Sequence, residues 1–600
     1  MIEIKNKVDC CGCKACGDIC PKDAVKFKLD SEGFWYPEVD KNICIECGLC
    51  EKVCPVLHPD FSNIGNSNDP ISYILQAPST FDRLQSASGA AYTLLVKEFF
   101  AMGGYVAGHI WKDKANVIGY VSGNPKDLEK LRSTKYLQSD IEGLYQSVKK
   151  LLVEGKYVLF SGCPCQIAAM RLYLRKDYDK LITTDFTCMG IDSPFAFGKY
   201  LESLERIYKS NIVYFKAKAK DVGWRHLTNK VVFANGKSYF GINGKDSNLK
   251  ATFLHVLVRP SCYDCKFKGF PRISDITIGD YWRKSSAYDP LDDNTGTSYA
   301  ILHNKKAIRF FDKIKPTCNY RQCKLTEIVD ANTFALNSLP HPTFNREEFY
   351  KRLNDEDFSE VVEEYYKEKY KIGKLTVHNI WLAIRALLKG IYINKAYPIS
   401  VIRFLYYNIF SKKVKTNLLN GDVLFLKNTQ VKLCSGAQLV IKGRCFIGDS
   451  GANTIISIGK KSKLKLDSNR IEAGSKFFLE TGSNVCIGFK SVVGNNVLVK
   501  SQSSINIGEF SLVQDGVCIN DLDNGVVYFN TDCCFTNNSV DIGAHVLIGK
   551  GAIINGSTHI GDDSIVKEYS VVKGIFQHSV TLAGNPAKEI NNNIKWKFNF

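Results

Sequence analysis

Long uncharged apolar stretches are missing from this sequence. The first residues, MIEIKNK, lack the apolar region of a secretion signal, and no charge-free run reaches the ~18 residues needed to span a bilayer. A motif for binding RNA or DNA is also missing, although the formal net charge is +18. We therefore expect a cytoplasmic chain with reduced thiols, no membrane-spanning helix and no nucleic-acid partner.

The excess positive charge is concentrated in one segment. Residues 367–415 contain eleven Lys and Arg against a single acid, Glu368. A helical wheel over 374–389 separates an apolar face from a basic face, which is typical of an amphipathic helix. Such a helix can lie on the inner membrane surface or pack against a neighbouring domain or subunit, and we favour packing. The basic face consists of Lys374, His378, Arg385 and Lys389.

Cysteine, in contrast, is abundant and regularly spaced near the N-terminus. Of 22 Cys, eight form two runs with the same spacing, C-x2-C-x2-C-x3-C-P, which begin at Cys10 and Cys44. In this pattern three thiolates of one run and the last thiolate of the other bind one cubane cluster. We predict two 4Fe-4S clusters, one held by Cys10, Cys13, Cys16 and Cys54, the other by Cys20, Cys44, Cys47 and Cys50.

Zinc and disulfides are the alternatives for these thiols. Zinc sites use four ligands, usually as two separated Cys-x-x-Cys pairs, and do not call for this doubled run. A disulfide framework would require a secreted chain. Cys11 is a ninth thiol outside the pattern, and we predict that it is not a ligand.

The length of 600 residues indicates several domains. We predict a ferredoxin-type domain over 1–60, an α/β domain over 71–345 and a basic helical connector over 346–416. In the α/β region strand-like runs alternate with helical patterns. The clearest strands are Tyr157–Phe160 and Leu181–Thr184, and the clearest helices are Ala91–Met102 and Leu144–Leu152.

The loops of the α/β region carry its most specific motifs. SASGA (86–90) opens a helix, and GCPCQ (162–166) lies between a buried strand and a helix, where α/β folds place ligands. Further motifs are LRSTKYLQS (131–139), RPSCYDCKF (259–267) and SDITIGDYW (274–282). Together with the ferredoxin-type domain, these stretches resemble the coenzyme F420 hydrogenase/dehydrogenase beta subunit family of iron–sulfur flavoproteins over about the first 345 residues.

The resemblance implies FAD and a third 4Fe-4S cluster in the α/β domain. It places the third cluster on Cys165, Cys188, Cys262 and Cys265, although these thiols can also be structural or bind zinc. We expect the flavin to contact Ser88, Gly89, Lys135, Ser161 and Gln166. Two residues depart from the family pattern: Cys163 replaces a usual Thr and Ala90 a usual Gly, so Cys163 is an additional thiol available for redox chemistry.

A six-residue period governs the segment 420–590. Aliphatic residues recur every six positions, and Gly often follows them, which is typical of a parallel β-helix. The longest run consists of Ile542, Ile548, Ile554, Ile560, Val566 and Val572. The segment resembles the hexapeptide-repeat acyltransferases with a left-handed β-helix, and AGNPAK (583–588) is similar to their closing signature.

That second resemblance implies a homotrimer, acyl-CoA binding and a catalytic His that acts as general base. The loop expected to carry the His reads INDLDNG (519–525), with Asp523 at the expected position. His545, His559 and His578 lie outside this loop. Because a carboxylate is the weaker base, acyl transfer by Asp523 is one expectation and a β-helix kept for trimerisation or for binding a glycan or partner is the other.

Three functions follow as hypotheses. The first is an oxidoreductase that takes electrons from a reduced ferredoxin or similar donor and passes them through clusters and flavin to an organic substrate, such as a precursor of a polysaccharide. The second is an O-acyltransferase acting on a cell-surface glycan. The third is a non-enzymatic electron-transfer subunit that the β-helix trimerises.

Overall fold

The computed structural model describes residues 1–61, 66–282, 289–370, 398–416, 422–449, 451–521, 539–594 and 596. These residues fall into two compact units. The first contains Met1–Val231 and Phe240–Lys369, and the second contains Val232–Tyr239 and Tyr370–Lys597. Asp523 and the basic amphipathic helix predicted over 374–389 lie outside the described residues.

The N-terminal part of the first unit has the form of a small ferredoxin-like domain. Its two strands pair in antiparallel register from Val25↔Val39 to Leu29↔Trp35. Each cysteine run continues into one short helix, so the two halves repeat each other. The elements are β1 (Val25–Leu29), β2 (Trp35–Val39), α1 (Ala15–Asp18) and α2 (Leu49–Lys52).

A nine-stranded mixed sheet forms the centre of the first unit. Its strand order is β14-β3-β13-β12-β8-β7-β4-β5-β6, and the central neighbours β12, β8, β7 and β4 run parallel. The strands are β3 (Ile71–Gln76), β4 (Tyr105–Trp111), β5 (Val117–Ser122), β6 (Ser139–Asp140), β7 (Val158–Ser161), β8 (Leu181–Phe186), β12 (Ile276–Asp280), β13 (Ser298–Leu302) and β14 (Asn319–Cys323). A separate three-stranded sheet contains β9 (Ile212–Lys216), β10 (Thr228–Phe233) and β11 (Ser238–Ile242).

Helices cover this sheet, and apolar side chains fill the space beneath them. The predicted helices at 91–102 and 144–152 agree with α4 (Ala91–Ala101) and α6 (Leu144–Val153) to within one residue. The helices are α3 (Thr80–Gln85), α4 (Ala91–Ala101), α5 (Leu128–Leu131), α6 (Leu144–Val153), α7 (Pro164–Leu174), α8 (Pro194–Tyr208), α9 (Ser247–Leu254), α10 (Lys305–Ile314), α11 (Leu325–Ala331), α12 (Arg346–Asp355) and α13 (Phe358–Lys369).

The second unit contains helix α14 (Pro398–Leu405) and a parallel β-helix with three faces. On each face a strand pairs in parallel with the strand three places further along the chain, except that β38 pairs antiparallel with β37. The first face contains β15 (Val414–Lys415), β18 (Gln438–Lys442), β21 (Lys463–Asp467), β24 (Asn484–Ile487), β27 (Ser504–Ile507), β30 (Val540–Ile542), β33 (Thr558–Ile560) and β36 (Ile575–Phe576). The second contains β16 (Val423–Leu426), β19 (Arg444–Ile447), β22 (Arg470–Ile471), β25 (Val492–Val493), β28 (Leu512–Val513), β31 (Leu547–Ile548), β34 (Ile565–Val566), β37 (Thr581–Gly584) and β38 (Ala587–Asn591). The third contains β17 (Thr429–Leu433), β20 (Thr454–Ile458), β23 (Lys476–Leu479), β26 (Leu498–Ser501), β29 (Cys518–Asn520), β32 (Ile553–Ile554) and β35 (Val571–Val572).

The six-residue period becomes the core of this β-helix. Every aliphatic residue of the long run from Ile542 to Val572 has an exposed fraction of 0%. Each coil therefore contributes inward side chains that stack on those of the next coil, as the repeat predicts. The handedness of the coil stays a prediction.

Crossing a membrane would require a helix longer and more apolar than any found here. Over the described parts of the chain, no helix meets that requirement.

Candidate functional site

The second predicted cysteine set converges on one small cavity in the ferredoxin-like domain. Cys20, Cys44, Cys47 and Cys50 all line this space of about 20 Å³. Backbone N–H groups point at two of the sulfurs, from Ala24 to Cys20 Sγ at 3.2 Å and from Ile2 to Cys50 Sγ at 3.3 Å. Four converging thiols with N–H donors around them fit a thiolate-bound 4Fe-4S cluster.

The first predicted set, Cys10, Cys13, Cys16 and Cys54, also comes together. Burial and the neighbouring thiols of Cys10, Cys54 and Cys50 raise the pKa of Cys16 well above its usual range. Burial likewise raises the pKa of Cys54 to about 11. Thiols this crowded and desolvated resist ionisation unless a cation compensates them, and an iron core provides that compensation.

The ferredoxin-like domain is fixed to the central sheet by buried polar contacts. The carboxylate of Asp18 accepts hydrogen bonds from the N–H groups of Gly143 and Tyr145 at 2.7 and 3.1 Å, at the N-terminus of α6. An acid at this position is favoured by the helix dipole. Lys14, whose exposed fraction is 3%, donates to Asp140 at 2.6 Å. These contacts fix the Cys10–Cys16 loop against the larger domain.

A third group of thiols gathers where that loop meets the central sheet. The four predicted ligands, Cys165, Cys188, Cys262 and Cys265, line one pocket of about 40 Å³. Cys188 Sγ accepts the Gly190 N–H at 3.3 Å. Burial raises the pKa of Cys262 to about 12. This donor set fits a further cluster in the same way as the first two.

Two more thiols line the same pocket, and neither was predicted to be a ligand. Cys11 comes from the ferredoxin-like domain, and Cys163 precedes α7. Hydrogen bonds with Cys13 and Cys165 lower the pKa of Cys11. Hydrogen bonds with Cys165 and Cys188 lower the pKa of Cys163. Cys11 therefore connects Cys13 of the first predicted set to Cys165 of the third set.

A cavity of about 480 Å³ adjoins this pocket, and Cys11, Cys163 and Cys165 line both spaces. The cavity lies where loops leave the sheet, at the ends of β7, β8 and β12, which is where α/β folds place ligands. Its size is typical of a cofactor or ligand pocket. Trp111 and Phe197, whose rings stack at 5.9 Å, contribute an aromatic wall.

Four of the five predicted flavin contacts line this cavity: Ser88, Lys135, Ser161 and Gln166. Gly89 does not line it and instead packs closely against the sheet, where an added Cβ would lie 2.5 Å from the Ser298 nitrogen. The side-chain oxygen of Gln166 accepts the Cys163 N–H at 2.8 Å and so caps α7. The roles of these residues stay predictions.

The cavity also contains titratable groups. Burial lowers the pKa of Lys135 to about 7, and its ammonium donates to the carbonyls of Leu131 and Arg132 at 3.1 and 3.0 Å. Burial also lowers the pKa of His109, whose Nδ1 lies 2.9 Å from Ser139 Oγ. Burial raises the pKa of Asp192 to about 7. Neither His109 nor Asp192 was identified from the sequence, because neither belongs to a recognisable motif.

The backbone conformation at Ala90 explains why Gly is usual at this position in the family that the sequence resembles. Ala90 caps the N-terminus of α4 with φ 72° and ψ 25°, a left-handed conformation that favours Gly. The usual Gly at this position is therefore the residue without strain, and Ala90 is strained by its Cβ.

In the β-helix the histidines occupy different environments. His545 is buried, and its Nδ1 lies 2.8 Å from Asp563 Oδ1. His559 is half exposed on the first face, and its Nδ1 lies 3.0 Å from Asp541 Oδ2. The two residues of this second pair, His559 and Asp541, are register partners on β33 and β30.

Comparison with known proteins identifies two segments. Residues 155–327 match the family model for the C terminus of the coenzyme F420 hydrogenase/dehydrogenase beta subunit, and residues 9–57 match the 4Fe-4S dicluster domain. The 7Fe ferredoxin of Hydrogenibacillus schlegelii is 40% identical over 57 residues, which are 9% of this chain and 67% of that protein. The ferredoxin-type protein NapF of Haemophilus influenzae is 43% identical over 44 residues, 7% of this chain and only 25% of that protein.

Two solved structures are similar at low identity. The F420-reducing [NiFe] hydrogenase complex from Methanosarcina barkeri has a TM-score of 0.30 and 16% identity, covering 52% of this chain and 95% of that one. The polySia-specific acetyltransferase NeuO has a TM-score of 0.20 and 19% identity, covering 31% of this chain and 82% of that one. The chain is thus an iron–sulfur protein that carries a ferredoxin-type 4Fe-4S dicluster domain, and its segment 155–327 is similar to the C terminus of the coenzyme F420 hydrogenase/dehydrogenase beta subunit.

Proposed function

We propose that the chain is a cytoplasmic iron–sulfur flavoprotein oxidoreductase that passes electrons from a ferredoxin-like donor to an organic substrate. One observation carries the proposal: the pocket of the third thiol group shares the side chains of Cys11, Cys163 and Cys165 with the 480 Å³ cavity. A cluster in that pocket would lie against a flavin in the cavity. Short separation of this kind is what transfer between bound redox groups requires.

The three thiol sets would hold three 4Fe-4S clusters, and the cavity would hold FAD. When bound, the clusters exchange single electrons, while the flavin exchanges two with a substrate. Lys135 would bind a phosphate oxygen of FAD, because its ammonium lines the same cavity as the predicted contacts Ser88 and Ser161. Ser161 would donate a hydrogen bond from its hydroxyl to the same cofactor, and Ser88, whose hydroxyl donates to Thr297 O at 2.7 Å, would offer its oxygen as an acceptor.

The protein's own groups would also handle protons and water. His109 and Asp192 line the cavity, and burial brings the pKa of Asp192 to about 7, so it can donate or accept a proton near neutral pH. The aromatic wall at Trp111 and Phe197 would exclude water from the reacting atoms. The substrate is proposed to be a small molecule or polysaccharide precursor.

Anaerobic determination of iron, sulfide and flavin per chain tests the proposal. Three clusters and one FAD correspond to about twelve irons and one flavin per chain. The matched variants are Cys262→Ser, which should lose about four irons, and Cys318→Ser, a half-buried thiol outside every predicted set, which should lose none. About eight irons and no flavin would overturn the proposal while leaving the dicluster domain intact.

A second candidate is acyl transfer by the β-helix, with acyl-CoA as donor. The observation that favours it is the His559–Asp541 pair, because a carboxylate on Nδ1 orients an imidazole as a general base. Turnover of acetyl-CoA with a glycan acceptor would be measured for the native chain, His559→Gln and Asp523→Ala. Loss in His559→Gln alone favours the pair, and loss in Asp523→Ala alone favours the predicted loop. If the native chain shows no turnover, acyl transfer by either the His559–Asp541 pair or the predicted loop is overturned. The remaining role of the β-helix is then to trimerise an electron-transfer chain, and a mass measurement of the native protein would test for the trimer.

A further inference from the structure

Arg259 is a fully buried cation that contacts only uncharged acceptors among the described residues. Its exposed fraction is 0%. The guanidinium donates to Cys10 O at 2.7 Å, Trp35 O at 2.9 Å and Gln138 Oε1 at 3.1 Å. Within the part of the chain that the structure describes, no carboxylate oxygen lies within 4.0 Å of it.

Burying an unbalanced charge in this environment is unfavourable. The ring of Tyr36 lies 4.1 Å from the guanidinium carbon and that of Phe34 lies 5.5 Å away. Cation–π contacts of this kind offset only part of that penalty. An anion beside the guanidinium would offset the remainder.

The position of Arg259 identifies that anion. Its guanidinium contacts the backbone of Cys10, in the first thiol set, and its own carbonyl accepts the N–H of Cys262, in the third set, at 2.9 Å. The loop from Cys10 to Cys13 leaves space for the Arg259 side chain at Gly12. Gly12 has φ 72°, and a Cβ there would lie 3.1 Å from the guanidinium carbon.

We propose that Arg259 is the shared counter-cation of the first and third cluster sites and that it raises the reduction potentials of both clusters. The inference rests on the proposed function for the third site, while the dicluster match alone supports the first. A 4Fe-4S core bound by four thiolates is anionic, and reduction adds one more negative charge. In a low dielectric a neighbouring cation stabilises the reduced form more than the oxidised form.

The second ferredoxin cluster provides an internal reference. Its ligands, Cys20, Cys44, Cys47 and Cys50, line a cavity to which Arg259 does not contribute. Removal of the charge should therefore lower the potentials of the first and third clusters and leave that of the second ferredoxin cluster unchanged.

The test is an anaerobic redox titration followed by electron paramagnetic resonance, with iron counts on each sample. Arg259→Met should lower the reduction potentials of the first and third clusters. The redox equilibrium constant of each should fall at least tenfold, which corresponds to about 59 mV for one electron. The matched control is Arg225→Met, which removes an exposed guanidinium that pairs with Asp292. It should leave all three potentials unchanged.

Three unchanged potentials in Arg259→Met, or three equal shifts, would overturn the proposal. If Arg259→Met does not fold, Arg259→Gln replaces it, because Gln removes the charge and keeps an N–H donor for a backbone carbonyl. Arg259→Lys keeps the charge and should keep the first and third potentials close to their native values. A folded Lys variant with full iron content whose first and third potentials fall as far as those of the Met or Gln variant would also overturn the proposal. Missing flavin or missing third-site iron in the native chain counts against the proposed function instead, and Arg259 is then judged on the two ferredoxin clusters.

Discussion

Flavin binding should be coupled to the uptake of a proton by Lys135. In the flavin-free protein, burial lowers the pKa of Lys135 from 10.5 to about 7. At about pH 8 the side chain is then about nine-tenths neutral. A phosphate of FAD favours the ammonium form, so binding at that pH should take up about 0.9 proton per flavin.

The same linkage sets the pH dependence of affinity. Above about pH 7 the free protein must be protonated before the ammonium can pair with phosphate, so the flavin dissociation constant should rise about tenfold for each pH unit. Below that pH the dependence should disappear. Without flavin, the unfolded state binds more protons than the native state between about pH 7 and 10.5, so Lys135 makes the free energy of unfolding rise with pH over this window.

Calorimetric titration of the apoprotein with FAD in two buffers of different ionisation enthalpy measures the uptake. Lys135→Arg should bind FAD without uptake, because Arg remains charged throughout. Lys135→Met should also show no uptake and should bind about ten- to a hundredfold more weakly at about pH 6.5, since a hydrogen bond to a charged group contributes about 1.5–3 kcal/mol. Equal uptake by the native chain and Lys135→Met would refute the reasoning.

Three further predictions concern the surroundings of the site. Asp18→Ala leaves two N–H groups at the start of α6 unpaired and should lower the free energy of unfolding by about 1–3 kcal/mol, as measured by denaturant unfolding. Asp18→Asn should have an intermediate stability. Equal stability of the native chain and both variants would show that Asp18 does not fix the ferredoxin-like domain to the central sheet. Ala90→Gly removes the strain of an Ala in the left-handed conformation and should raise the free energy of unfolding by about 1 kcal/mol, and with it the melting temperature. A lower melting temperature of the variant would contradict this prediction. Cys11→Ser and Cys163→Ser should keep all iron in an anaerobic assay, whereas loss of about four irons from either would make that thiol a ligand.

Local patterns determined much of this molecule in advance. Cluster spacing is a local property, because three thiolates of one run reach the same iron core over a few residues. The comparison with known families confirms the dicluster domain that this spacing predicted. The six-residue period is local too, and the buried run from Ile542 to Val572 follows from it directly. The basic helix over 374–389 lies outside the described residues and stays a prediction.

Contacts between distant segments were decided only by the tertiary structure. Cys11 falls outside the spacing rule, and nothing in its neighbours along the chain indicates that it reaches the pocket of Cys165 and Cys188. Arg259 is one of many cations in the sequence, and its burial against Cys10 depends on a sequence separation of 249 residues. Periodicity and spacing report on neighbours along the chain, whereas desolvation of a charge depends on every segment that folds around it.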